Sequence, residues 1–192
     1  MNNQNHKHSF SGKGLFPPKY AFTLLIPLRN IFLSPKKLIE RLDLKEDYSV
    51  LEVGPGPGYF SPKIARTLNK GKLVLSDIQQ EMLDYAKKRL EKKGINNAEY
   101  NLGNGTTLDF ADEQFDRIFM VTVIGEVADQ HSFLKEAHRV LKPNGVLSIS
   151  ELAGDPDKLS TAELEQLVCS EGFTVKQLFG TERNYTMNFE KA

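Results

Sequence analysis

The sequence predicts an α/β protein built on a doubly wound parallel sheet with helices on both faces. Three observations carry that prediction. Short apolar runs alternate with amphipathic stretches from about residue 49 to the C-terminus. The first apolar run breaks into a glycine-rich loop that opens a helix. The run FDRIFMVTV (115–123) is apolar almost throughout, as expected for a strand covered on both faces. The chain has 192 residues, 40% of them hydrophobic. That fits one domain, on the scale of roughly 100–200 residues each, able to bury about 70% of its unfolded surface.

The elements follow in order. Residues 1–18 are polar and rich in Gly, Ser and His, close on Pro17-Pro18, and read as a loose arm rather than a signal peptide. The greasiest run, Tyr20 to Leu33, is interrupted by Pro27 and Arg29 and is too short to cross a bilayer. The expected organisation is therefore an arm (1–18) and a single domain (19–192), with N-terminal cap helices (19–45) before a core (46–192). Ser34-Pro35 opens a helix with Leu38, Ile39 and Leu42 on one face. SVLEV (49–53), KLVLSD (72–77), AEYNLG (98–103), FDRIFMVTV and VLSISE (146–151) read as five strands. Between them lie helices marked by Ile64, Ala65 and Leu68, by Met82, Leu83, Ala86 and Leu90 ending at Gly94, and by Phe133, Leu134, Ala137, Val140 and Leu141 ending at Pro143-Asn144-Gly145. Ser160 and Glu163 form a capping box for a further helix, and residues 173–192 read as two strands around a short turn.

Charge narrows the partners. The 25 basic and 25 acidic residues cancel, which gives no global attraction to nucleic acid or anionic lipid. The balance is uneven along the chain. Residues 1–49 carry eight Lys/Arg against four acids, so the body is mildly acidic. Cys169 is the only cysteine, which excludes an internal disulfide and a multi-cysteine metal site and fits a reducing, cytoplasmic setting.

In sheets of this kind ligands bind beyond the carboxyl ends of the strands. After the first strand stands Glu52-Val53-Gly54-Pro55-Gly56-Pro57-Gly58-Tyr59-Phe60. Alternate glycines let a ligand lie against the backbone, although such a string also serves as a plain turn. Asp77 ends the second strand, where a carboxylate can accept from two ribose hydroxyls or cap the following helix. Gly103-Asn104-Gly105 follows the third strand, either to meet a base edge or simply to turn. A dinucleotide loop would read G-x-G-x-x-G; here Tyr59 takes the place of the last glycine. Glu52 would repel a phosphate and suits a nucleoside that carries positive charge.

V-L-E-V-G-P-G-P-G (50–58), L-S-D-I-Q-Q-E-M-L (75–83), F-D-R-I-F-M-V-T-V (115–123) and E-A-H-R-V-L-K-P-N-G-V-L (136–147) resemble the successive motifs of class I S-adenosylmethionine-dependent methyltransferases. The resemblance covers about residues 34–192. It implies a Rossmann-like seven-stranded sheet in the order 3-2-1-4-5-7-6 with strand seven antiparallel. It implies S-adenosyl-L-methionine as cofactor, S-adenosyl-L-homocysteine as product, and no metal. By resemblance, Glu52 lies near the methionine part, and Gly54, Pro55, Gly56, Gly58, Tyr59 and Phe60 belong to the cofactor loop. Asp77 would hold the ribose, Ile78 would pack on the adenine, and Gly103, Asn104 and Gly105 would face its edge. Asn104 stands where the family usually has Asp. Met120, Val121 and Thr122 would border the methionine moiety and the acceptor.

The strand-four end reads Val121-Thr122-Val123-Ile124, without the Asn/Asp-Pro-Pro-Tyr/Phe element of methylases that act on base amino groups. Cys169 reads as buried filler, not a nucleophile. A small-molecule acceptor, apolar or lipophilic, remains. Tyr20 and Phe22 are candidate pocket residues, or packing residues on the body or on another subunit. Glu126 and His131, just past strand four, are candidate general bases. A non-catalytic cofactor-binding module and an NAD-dependent oxidoreductase stay open as alternatives. The oligomeric state and peripheral contact with a membrane stay open too.

Overall fold

In the computed structural model of the protein, which describes residues 32–192, seven strands share one sheet. They are β1 (Ser49–Val53), β2 (Lys72–Asp77), β3 (Ala98–Leu102), β4 (Phe115–Val121), β5 (Leu141–Glu151), β6 (Phe173–Thr181) and β7 (Asn184–Lys191). Their spatial order is β3-β2-β1-β4-β5-β7-β6, with β7 antiparallel to both neighbours and the ladders from β3 to β5 parallel. This is the order the resemblance implies. The arm at 1–18 and the candidates Tyr20 and Phe22 lie outside the described residues.

Among the described residues five helices cover the sheet: α1 (Pro35–Leu42), α2 (Ser61–Thr67), α3 (Gln80–Glu91), α4 (Gln130–Val140) and α5 (Thr161–Cys169). The apolar residues of α1, α2 and α3 pack with Val50, Leu73, Leu75 and Phe119 on one face. Those of α4 and α5 pack with Leu51, Ile118, Leu147 and Ile149 on the other. Strand side chains alternate between faces, so Glu52 shares the α1–α3 face with its register neighbours Leu75 and Phe119.

Local chemistry fixes the ends. Ser34 caps α1 by accepting from the Lys37 amide (3.2 Å), with Pro35 in the first turn. The Ser160–Glu163 capping box of α5 is present. Arg117, buried on β4, donates from Nε to the Leu42 carbonyl (2.6 Å) and stacks on the Tyr48 ring, 4.7 Å from its centroid. That satisfies a buried guanidinium and ties the end of α1 to the sheet.

Two boundaries differ from the sequence expectation. Leu141 leaves α4 and begins β5 opposite Phe115; the ladder then slips and resumes at Arg117 opposite Val146. Pro143 and Asn144 are exposed in this bulge rather than terminating a helix. The β4 strand stops at Val121, because Thr122 turns to φ 57° and its amide donates to the Ser150 carbonyl (2.8 Å). Among the described residues no helix is long and apolar enough to cross a membrane.

Candidate functional site

The carboxyl ends of β1, β2, β4 and β5 open into one cavity of about 1010 Å³. Its floor is the loop after β1. Gly54 has φ 62°, its amide donates to the Ser76 carbonyl (2.8 Å), and a Cβ there would stand 2.6 Å from Val123 Cγ2. Only glycine fits both the conformation and that approach. Glu52, at the strand end, is 3% exposed, and its Oε2 has no hydrogen-bond partner. Burial raises its pKa to about 8; the Ser61 side chain pulls it down and Asp77 adds to the rise.

Asp77 binds two parts of the site together. Its carboxylate accepts from the Gly56 amide (3.3 Å) and the Gln79 amide (3.0 Å), so it orders both the glycine loop and the start of α3. Burial raises its pKa overall, against those hydrogen bonds. Ile78, 42% exposed, projects at the cavity beside Gly105. Val121 and Thr122 line the wall at the β4 end. Thr122 is a β-branched residue at positive φ, a strain of roughly 1–3 kcal/mol that accumulates at functional sites.

The other expected residues divide. Gly54, Pro55, Gly56, Tyr59, Phe60, Gly103, Asn104 and Gly105 line the cavity. Gly58 does not: at φ 75° a Cβ would lie 3.2 Å from the Ala86 backbone, so this glycine lets α3 close on the loop. Met120 is fully buried in the α4–α5 core, one residue out of phase with Val121. Asn104 is at the cavity, but its Oδ1 accepts from the Thr106 and Thr107 amides (2.9 and 2.8 Å) and its Nδ2 donates to Thr107 Oγ1 (2.7 Å). The side chain folds its own loop, leaving a base edge to the backbone. His131 is not among the lining residues; it is 61% exposed and pairs with Glu171 (2.6 Å).

Glu126 ends a 3-10 turn (Ile124–Glu126) at the cavity rim. Desolvation against the wall, then Asp155, Asp157 and Asp77, raise its pKa to about 7. Asp155, on the loop after β5, lines the same end, and Glu151, the last residue of β5, is buried. Sequence reading missed Asp155, whose neighbour Glu126 comes from another strand end. It also missed Glu136 and Arg139. Arg139 donates to the Leu108 and Phe110 carbonyls (both 2.8 Å) and to both Glu136 oxygens, while Glu136 accepts from the Leu108 amide (3.0 Å). Thus α4 clamps the loop whose Leu108 lines the cavity. Among the described residues no group of three His, Cys, Asp or Glu side chains is arranged to hold a metal ion.

An open doubly wound sheet with a cavity beyond its strand ends is the arrangement in which α/β domains of this kind hold their ligands. The chain belongs to the methyltransferase domain family, which matches residues 44–191. It is 30% identical over 136 residues to methyltransferase GfsG of Streptomyces halstedii, covering 68% of this chain and 48% of that protein. It is 34% identical over 112 residues to the ubiquinone/menaquinone biosynthesis C-methyltransferase UbiE of Haemophilus ducreyi, covering 57% and 43%. The chain thus spans about half the length of these curated relatives. A SAM-dependent methyltransferase from Aquifex aeolicus superposes with a TM-score of 0.87 at 26% identity, covering 93% of this chain and 100% of that one.

Proposed function

We propose that the protein transfers a methyl group from S-adenosylmethionine to a small acceptor with an apolar body. The observation that carries this reading is Glu52, a buried carboxyl at the cavity with an unpartnered oxygen. An unpartnered buried carboxyl is costly alone and is relieved by a cation. A dinucleotide's phosphates would not supply that cation and would be repelled once the carboxyl ionises, which disfavours a dinucleotide. The cofactor, when bound, supplies an electrophilic methyl group on a sulfonium. Glu52 would meet its cationic tail, Asp77 its ribose hydroxyls, and Ile78 with the 103–107 loop its adenine.

Methyl transfer is an in-line displacement, so holding the acceptor in position does most of the work. Phe32, Val127, Phe133 and Leu152 give the cavity apolar walls for that purpose. The names of the ubiquinone/menaquinone relatives favour a ring-shaped acceptor. Glu126, at the rim with a pKa near 7, is the base for an acceptor that sheds a proton. His131, outside the cavity, is not carried forward in that role.

Calorimetry with S-adenosylmethionine and S-adenosylhomocysteine tests the reading. Binding of both is expected, and no heat at millimolar cofactor would sink it. Tight NADH binding would instead favour an oxidoreductase, and cofactor binding without turnover on any acceptor a binding module.

A further inference from the structure

The cavity wall on the β5 side is a loop held by the edge of the sheet. In the order β3-β2-β1-β4-β5-β7-β6, the glycine loop and Asp77 stand at the ends of β1 and β2, and β5 lies two places from β1. Leu152, Ala153 and Pro156, in the segment between β5 and α5, line the cavity there. If the cofactor reading above holds, this is the end left to the acceptor.

The turn between β6 and β7 grips that segment along its length. The Asn184 side-chain oxygen accepts from the Ala153 amide (2.8 Å). The Glu182 carbonyl accepts from the Lys158 ammonium, and the Tyr185 hydroxyl donates to the Leu159 carbonyl (2.7 Å). At the start of α5, the Glu182 carboxylate accepts from the Thr161 amide (3.1 Å) and hydroxyl (2.7 Å). That amide belongs to the first turn of the helix, where backbone donors have no helical carbonyl to meet.

The turn itself is tightly built. Glu182 and Arg183 alone separate β6 from β7. Gly180 has φ 93°, and a Cβ there would fall 2.2 Å from the Asn184 carbonyl oxygen, so the hairpin closes where only glycine fits. From the other side, a Cβ on Gly125 would fall 2.0 Å from the Asp157 carbonyl oxygen. The segment is thus wedged between the hairpin and the 3-10 turn that carries Glu126.

We propose that the β6–β7 turn sets the acceptor wall, with Asn184 and Glu182 as positioning residues that act through Ala153 and Thr161. This rests on the cofactor reading of the opposite end. Neither residue is among those lining the cavity. Glu182 is exposed and Asn184 half-buried, while Met187 and Phe189 give β7 its place in the core. Loosening the turn therefore blurs the wall and leaves the glycine loop its shape. In-line transfer is sensitive to such blurring, because a misplacement of about 1 Å can cost roughly a hundredfold in rate.

The test uses the protein loaded with S-adenosylhomocysteine, and the neutral apolar fluorophore N-phenyl-1-naphthylamine in the acceptor's place. Asn184→Ala and Glu182→Ala should each weaken fluorophore binding about tenfold, the scale of a lost hydrogen bond, and speed hydrogen exchange in residues 152–160. Affinity for S-adenosylhomocysteine should stay within about twofold of wild type. Asn184→Asp keeps an oxygen that accepts from the Ala153 amide and should restore both readouts, which a general loss of packing would not allow. Glu182→Ala decides the matter should Asn184→Ala fail to fold. Unchanged fluorophore affinity in a folded alanine variant, or Asn184→Asp behaving as Asn184→Ala, overturns the assignment. So does S-adenosylhomocysteine affinity that falls in step with the fluorophore, or a loaded wild type that binds no fluorophore. Those results leave the cofactor reading standing if the wild type binds S-adenosylhomocysteine; if it does not, both fall.

Discussion

Asp77 shows how one side chain serves the fold and the site together. Its two carboxylate oxygens accept from Gly56 and Gln79, so the sequence alternatives of ribose ligand and helix-start partner are compatible. Asp77→Ala should weaken S-adenosylmethionine binding by about 1–3 kcal/mol, roughly 5- to 150-fold. Unchanged affinity in a folded variant would remove the ribose assignment. The neighbouring glycines separate by what a methyl group would strike. Gly54→Ala meets Val123 at the cavity wall, whereas Gly58→Ala meets α3. Calorimetry and thermal melting should therefore show Gly54→Ala losing cofactor affinity more than Gly58→Ala for an equal drop in Tm. Glu126 predicts a rate that rises with pH through about 7 as its carboxyl ionises. That limb should vanish in Glu126→Gln, and an identical pH profile in the variant would exclude it as the base.

At the scale of elements, the sheet was largely legible because its first three strands end in a punctuation mark. Gly54, Asp77 and Gly103 stand at or just past the ends of β1, β2 and β3. Where one pattern has two physical meanings, reading failed. Pro143-Asn144-Gly145 suits a helix stop and a bulge alike, and only the Phe115–Leu141 pairing selects the bulge. A nearly all-apolar β4 hides which side chain faces the cavity, so Met120 and Val121 looked equivalent. Asp155 was invisible as a site residue because it and Glu126 reach the cavity from different loops. The clamp of α4 on the 108–112 segment is likewise a long-range contact. Arg139→Lys keeps the charge but cannot span the Leu108 and Phe110 carbonyls as the guanidinium fork does. Faster hydrogen exchange in residues 103–112 and weaker cofactor binding are expected, with the sheet amides unchanged.

For the molecule as a whole, the buried carboxyls tie stability to pH. Glu52 and Glu151 move from an ordinary 4.5 to about 8 in the folded state, so the folded chain holds protons that the unfolded chain releases. Stability from these groups is therefore full below about pH 4.5 and declines as pH rises toward 8. Thermal melts of the unliganded protein should show Tm falling over that window. Glu151→Gln should flatten the fall and raise Tm most at pH 8; a parallel shift at every pH would show that Glu151 is ionised in the fold.

The bulge between Leu141 and Val146 has a practical consequence. It sits at the amino end of β5, while the cavity occupies the carboxyl end of the same strand. Pro143 and Asn144 are exposed, and this is where the ladder is already interrupted. A loop inserted there costs only slowly growing closure entropy, so a peptide epitope or fluorescent label between Pro143 and Asn144 should report on the molecule without touching its chemistry.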